Sequence, residues 1–200
     1  IIDTGFSLPE CLEALQRGLN ELEIDLDKTE LFLTHLHSDH VGLAFEIMPE
    51  ESTIYMSSVD YSYFKKISMG EYDEKSKLRI LNEGFTQEEV NLFWQSNSTL
   101  LLESALRHKI TTVDDWTKIQ VGTCQFTCVA TPGHTPGHMC LYLEEEKLMF
   151  LGDHVLFDIT PNIYYWSGVE DSLQDYLDSL IKIRNYEIET PFAAHRQNGT

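Results

Sequence analysis

Within seven residues, Thr34-His35-Leu36-His37-Ser38-Asp39-His40, the chain places three histidines and one aspartate. Leu31-Phe32-Leu33 before this stretch is a short apolar run that reads as a buried strand, and Val41–Met48 after it reads as a short helix. A strand-to-helix loop holds ligating side chains between rigid neighbours. Alternate residues of an extended backbone share a face. His35, His37 and Asp39 are therefore expected to project together, with His40 joining as the chain turns. Imidazoles and a carboxylate packed that closely repel or protonate one another unless an ion sits among them. Neutral imidazole and carboxylate are natural ligands of borderline divalent metals. A lone histidine in a polar loop would carry no such weight.

Two hundred residues with 42% hydrophobic content suffice for one domain with a sizeable core. No apolar run is long enough to span a membrane, and no signal peptide is read. The chain opens directly on the strand-like Ile1-Ile2-Asp3 and stops just after His195, so further pieces are expected at both ends. A formal charge of −19 weighs against a polyanionic partner such as nucleic acid. It leaves anionic small molecules open, because bound cations dominate a local field. Cys11, Cys124, Cys128 and Cys140 fit no zinc-ribbon spacing and read as reduced thiols of a cytoplasmic protein.

Along the chain, Asp3-Thr4-Gly5 has turn chemistry. Ser7-Leu8-Pro9-Glu10 reads as a capping box opening a helix that buries Leu8, Leu12, Leu15, Leu19 and Leu22. Ser52–Met56 reads as a strand. Helical patterns follow, around Tyr61–Ser68, over Glu74–Leu81, from a Thr86–Glu89 capping box through Phe93 and Trp94, and on to Leu100–Leu102 and Leu106. They read as a helical insertion between two sheets' worth of strands. Strands then return at Val113–Trp116, Thr117–Val121, Cys124–Ala130, Met139–Leu143 and Lys147–Leu151. A last helix starts at Asp171, with Leu173, Tyr176, Leu177, Leu180, Ile181 and Ile183 on its apolar side. Pro191–His195 reads as a final strand. In Thr131-Pro132-Gly133-His134-Thr135-Pro136-Gly137-His138, two Pro-Gly-His units fix the backbone around two histidines. Phe150-Leu151-Gly152-Asp153 ends a strand with a carboxylate.

His-x-His-x-Asp-His after an apolar strand is the signature loop of the metallo-β-lactamase-fold hydrolases. The chain resembles that superfamily over nearly its whole length. The resemblance implies an α+β, four-layer αββα sandwich, with one domain over residues 1–200 and a helical insertion at about 58–108. It implies His35, His37 and His134 as ligands of a first metal, and Asp39, His40 and His195 as ligands of a second. Asp153 then bridges the two, and His138 braces the site from outside. Two divalent ions follow, zinc first, with iron and manganese compatible. Asp153 stands where some relatives carry cysteine, and His37 where flavodiiron-type relatives carry glutamate.

What the resemblance implies chemically is a dinuclear, glyoxalase II-like hydrolase. Hydroxide held between the metals attacks a polarised carbonyl carbon, while Asp39 ligates and accepts a proton. The expected substrates are small carboxyl derivatives, thioesters ahead of esters, lactones or amides. His154-Val155-Leu156-Phe157 lacks the tyrosine usual in homoserine lactonases, although Tyr164, Tyr165 and Trp166 come later in the same loop. Two other classes stay open, a phosphodiesterase or nuclease, and a non-catalytic metal protein that binds a ligand. A groove of Lys and Arg near the metals would mark the first, and a sealed pocket the second. The oligomeric state is not legible.

Overall fold

A computed structural model describes residues 1–69, 74–95, 105 and 107–196. Leu100–Leu102, Leu106 and the side chains of Phe93 and Trp94 lie outside the described residues. The first half runs α1 (Pro9–Glu21), β1 (Leu31–Phe32), α2 (Ser38–Val41), α3 (Ala44–Ile47), β2 (Ile54–Ser57), α4 (Ser58–Ser68), α5 (Glu74–Asn82) and α6 (Gln87–Gln95). The second runs β3 (Ile110–Val113), β4 (Lys118–Val121), β5 (Cys124–Ala130), β6 (Met139–Leu143), β7 (Leu148–Gly152), α7 (Ser172–Ile183) and β8 (Thr190–Ala193).

Period-two alternation in the strands generates the layers. Leu31, Leu33, Ile54 and Met56 face one way, into a cluster with Val41, Ala44, Phe45 and Phe64 from the helices. Phe32 and Tyr55 face the other way, onto Val113, Ile119, Cys128, Met139 and Leu141. Along β5, β6 and β7 the alternate residues Val129, Cys140, Met149 and Leu151 turn outward onto Ile183 of α7. The three clusters are the seams of four layers, in the order helix, sheet, sheet, helix, which is the αββα sandwich expected. The central strand β6 is buried on both faces and is apolar at every position, whereas β4, at the sheet edge, buries only Ile119.

One sheet is β1-β2-β3, all parallel, and the other is β4-β5-β6-β7-β8, antiparallel except for the parallel pair β7–β8. Parallel neighbours need long crossovers. Helices α4, α5 and α6 occupy the crossover from β2 to β3. They therefore connect neighbours within one sheet, where the sequence pattern suggested a break between two sheets. The reason is that β3 lies at Ile110–Val113, ahead of the expected Val113–Trp116. Asp114–Trp116 is a turn instead, held by Asp114 N donating to Thr117 Oγ1 at 3.1 Å and carrying Trp116 at φ 66°.

Three helices differ from expectation. Ser7 does not cap α1: Leu8 is the N-cap residue and no side chain caps it. Leu12, Leu15 and Leu19 are only half-buried, and Leu8 and Leu22 are exposed, so α1 lies outside the core. In place of one helix over Val41–Met48 there are two short ones, α2 starting earlier at Ser38 and α3 at Ala44, and at Gly42 between them a Cβ would sit 2.6 Å from Gly5 O. On α7 the Asp171 cap forms, with Gln174 N donating to Oδ1 at 2.9 Å. Ile183 is buried there, whereas Leu173, Leu177 and Ile181 are exposed. The Thr86–Glu89 capping box of α6 forms in both directions, at 2.8 and 3.2 Å.

Candidate metal centre

The ends of β1, β5, β7 and β8 converge on one rim of the sandwich. His37 is the N-cap residue of α2, so the backbone turns helical one residue later. Asp39 therefore reaches the site from a helical turn, not from the extended run expected. His35 and His37 from this loop and His134 from the β5–β6 loop form one group whose ligand atoms lie within 4.8 Å of one another. Asp39, His40 and His195 form a second group within the same limit. The fold thus brings together six of the seven residues expected as ligands in two sets of three.

Asp153, the seventh, stands between the sets. Its Oδ2 lies 3.4 Å from His134 Nε2. Its Oδ1 lies 3.5 Å from His40 Nε2 and 3.2 Å from His195 Nε2. One carboxylate thus turns an oxygen toward each set. His40 Nε2, His134 Nε2 and Asp153 Oδ1 are buried without a hydrogen-bond partner, which buried polar atoms rarely tolerate. His35 Nε2 and His37 Nδ1 lie 3.1 Å apart, close enough to share a proton or an ion. This donor set, imidazole with carboxylate, fits divalent metals such as zinc or iron.

The surroundings fix which nitrogen of each ring is bare. Thr34 Oγ1 donates to Asp3 Oδ2 at 2.7 Å and so accepts from His35 Nδ1 at 3.0 Å, which leaves His35 Nε2 bare. His40 Nδ1 donates to Asp3 Oδ2 at 2.8 Å, and His134 Nδ1 to the Asn162 carbonyl at 2.7 Å. Burial pushes His35 well below the ordinary histidine range, and its histidine neighbours push it further. Burial, aided by His134, lowers His37 to about 4. Burial also lowers His134. These rings are neutral near pH 7, the state a metal requires. For His40, burial disfavours the proton but Asp3, Asp153 and Asp39 outweigh it, so its pKa is raised. Burial raises Asp153 despite the surrounding histidines.

His138 is fully buried outside the donor sets. Its Nε2 accepts the Asp153 backbone N–H at 3.1 Å, and its Nδ1 donates to Thr131 Oγ1 at 2.8 Å. It holds the carboxylate-bearing backbone in place. His154 is buried behind it, with ring centroids 6.0 Å apart. His108 packs on Phe45, with its Nε2 3.0 Å from the Met48 carbonyl. Trp166 does reach the site: its ring stacks on His37 with centroids 6.0 Å apart, and its Nε1 donates to the His134 carbonyl at 3.1 Å. The side chains of Asp39 and His195 are 27% and 35% exposed, so the site opens to solvent on that side.

Sequence reasoning missed Asp60. It is fully buried at the first turn of α4 and accepts from Leu36 N at 2.9 Å, Thr135 Oγ1 at 2.7 Å and Gly137 N at 2.6 Å. An aspartate in a first helical turn is ordinary, and only the Ser57-x-x-Asp60 spacing marked a helix start there. Asn162 was missed too, since it acts through its backbone.

A family model described as the metallo-beta-lactamase superfamily matches residues 1–195, and the chain belongs to that superfamily. Among relatives, it is 28% identical over 195 residues to an atrochrysone carboxyl ACP thioesterase of Emericella nidulans, covering 98% of this chain and 47% of the relative. It is 35% identical over 83 residues to a beta-lactamase-like protein 2 homolog of Caenorhabditis elegans, covering 42% of this chain and 26% of the relative. A metallo-beta-lactamase family protein of Thermus thermophilus superposes with a TM-score of 0.79 at 22% identity, covering 98% of this chain and 64% of that one. Another neighbour, solved in a di-iron-bound form, gives a TM-score of 0.59 at 22% identity, covering 100% of this chain and 82% of that one. The chain thus spans about half the length of the thioesterase relative.

Proposed function

We propose that the chain is a dinuclear metal-dependent hydrolase of small carboxyl derivatives, thioesters first. The observation that carries this reading is Asp153, whose two oxygens face two separate donor sets. His35, His37 and His134 would hold one ion, Asp39, His40 and His195 the other, and Asp153 both. A bound divalent pair supplies Lewis acidity and activates water near neutral pH. The chain's own residues do the rest. Asp39, on the solvent-open side, would help hold the second ion and is placed to accept a proton from the nucleophile. Asp3 and Asn162 keep His40 Nε2 and His134 Nε2 bare for their ions. Trp166 walls the His37 side with an apolar face. The exposure of Asp39 and His195 favours an enzyme over a sealed ligand sensor.

Thioesters come first because a thioesterase-named relative matches 98% of the chain. Zinc is the ion to test first, with iron next, since a neighbour of the same fold was solved with two irons. The four free cysteines suit a reducing compartment such as the cytoplasm. No helix among the described residues is long and apolar enough to cross a membrane.

The test is metal content per chain, for the parent and Asp153→Ala, with hydrolysis of a panel of acyl thioesters and phosphodiesters. About two ions in the parent, fewer in the variant and turnover of thioesters are expected. Phosphodiester turnover alone would replace the thioester reading, and no bound metal after reconstitution would remove the hydrolase reading altogether.

A further inference from the structure

Asp60 is a charged side chain with no exposure, outside both donor sets, in a position that is costly unless fully hydrogen-bonded. Its partners are unusual in their placement. Leu36 N lies between His35 and His37 in the chain, and its hydrogen bond fixes the peptide that sets the spacing of those rings. Thr135 Oγ1 and Gly137 N flank the other loop, on the residues just after His134. The backbone that carries the carboxylate is itself fixed, since Asp60 N donates to Ser57 Oγ at 3.0 Å in the N-cap of α4. Gly137 fits so closely that a Cβ there would sit 2.7 Å from Asp60 Oδ1, which leaves no space for a bridging water. Tyr63, one turn along α4, meets Trp166 edge-on with centroids 5.6 Å apart, and Trp166 holds the His134 carbonyl. One helix therefore grips both loops of the His35-His37-His134 set.

The other set is held without Asp60, by supports of which Asp3 also serves His35 through Thr34. His40 is held through Nδ1 by Asp3 and through its carbonyl by Thr4 N and Oγ1, at 2.9 and 2.8 Å. The strand that delivers His195 is tied to the Asp153 strand by Ala194 N donating to the Gly152 carbonyl at 3.1 Å. None of the hydrogen bonds described for Asp60 goes to Asp39, His40 or His195.

We infer that Asp60 is the positioning residue of the first metal set. It fixes the separation of loops 34–37 and 131–138, sets the affinity of His35, His37 and His134 for their ion, and leaves the Asp39-His40-His195 set unaffected. This inference rests on the ligand assignment proposed above. Outer-shell partners of metal ligands are worth about 10–100-fold in affinity, which is the size of effect expected here.

The test isolates each set. His195→Ala disables the second set and His37→Ala the first, and Zn²⁺ affinity is read in each background by competition with a chromophoric chelator. Asp60→Asn keeps the shape but turns an NH₂ toward Gly137 N or Leu36 N. It should weaken Zn²⁺ about 10–100-fold in the His195→Ala background and less than about threefold in the His37→Ala background. Equal weakening in both backgrounds, or none in either, overturns the inference. Should Asp60→Asn fail to fold, Thr135→Val and Thr135→Ser decide between the outcomes. Valine removes one of the three donors and should weaken the first set alone, whereas serine keeps the hydroxyl and should restore it. If His37→Ala and His195→Ala leave Zn²⁺ stoichiometry and affinity unchanged, the ligand assignment itself fails and the inference falls with it.

Discussion

Gly152 ends β7 one residue before Asp153, at φ 52°, in the left-handed region that L side chains avoid. A Cβ there would sit 2.6 Å from His138 Nε2 and 3.0 Å from Thr34 Cβ. Gly122, in the turn between β4 and β5, has nearly the same φ of 59° but nothing within 4 Å of its notional Cβ. The pair separates backbone strain from collision. Gly122→Ala should cost only the left-handed penalty, about 1–2 kcal/mol. Gly152→Ala carries that penalty plus about 1–3 kcal/mol of overpacking. It also loses the hydrogen bond from Asp153 N to His138 Nε2, worth about 1 kcal/mol. The sum is about 3–6 kcal/mol, a large share of the ~5–15 kcal/mol that stabilises a domain. At about 2–4 °C per kcal/mol for a chain of this size, Gly122→Ala should lower the apo melting temperature by about 2–8 °C and Gly152→Ala by about 6–24 °C. Thermal melts of chelator-treated protein, repeated by urea titration, read both. Melting of the two variants within about 2 °C of each other would refute the argument that His138 and Thr34 are packed directly against the Gly152 backbone.

Further expectations concern neighbouring features. His138→Ala should keep two ions per chain but bind them about 10–100-fold more weakly, because His138 holds the Asp153 backbone and does not enter either donor set; loss of one ion in a metal assay would make it a ligand. Burial raises the Asp60 carboxyl from 3.8 to about 6, against the pull of its three hydrogen bonds. The folded state therefore binds this proton more tightly than the unfolded state. The stability it contributes is present below about pH 3.8 and declines as pH rises through about 6, by roughly 3 kcal/mol. The difference between parent and Asp60→Asn apo denaturation curves across that window should carry this slope, and a flat difference would contradict it. Burial pushes the thiols of Cys128 and Cys140 up to about 12, whereas Cys11 and Cys124 are half-buried. A native thiol titration should count two fast cysteines, and four only after unfolding.

The clustering of the candidate donor residues was legible partly because four of the seven lie within six consecutive residues, His35 to His40. His-x-His-x-Asp-His marks a cluster of donors within a few residues, whereas the parts expected of Pro-Gly-His and Gly-Asp came from the family resemblance, and the uninterrupted apolar run Met139–Leu143 read as a strand and is one, buried throughout. What escaped was non-local or of the wrong scale. Asp60 matters only because Leu36, Thr135 and Gly137 come to it from two other loops. The crossover status of α4 to α6 depends on β3 pairing beside β2, which no pattern within residues 110–113 encodes. On α1, leucines at helical spacing predicted burial, but spacing shows that a face is apolar without showing what covers it. Ser7 had the right residue type for a cap and the wrong register, since Leu8 took the position.

The donor sets draw on both sheets. His35, His37, Asp39 and His40 leave the end of β1 in the parallel sheet, while His134, Asp153 and His195 leave β5, β7 and β8 of the other. Ions held there would act as cross-links between two layers otherwise joined mainly by apolar contact, and the second set would close a chain loop of 156 residues, from Asp39 to His195. Such links act by mass action: free metal at about a thousand times its dissociation constant adds roughly 4 kcal/mol per independent site. The lifetime of this fold against proteases would then follow the metal supply of its surroundings, and starvation for the ion would remove the protein as well as its activity.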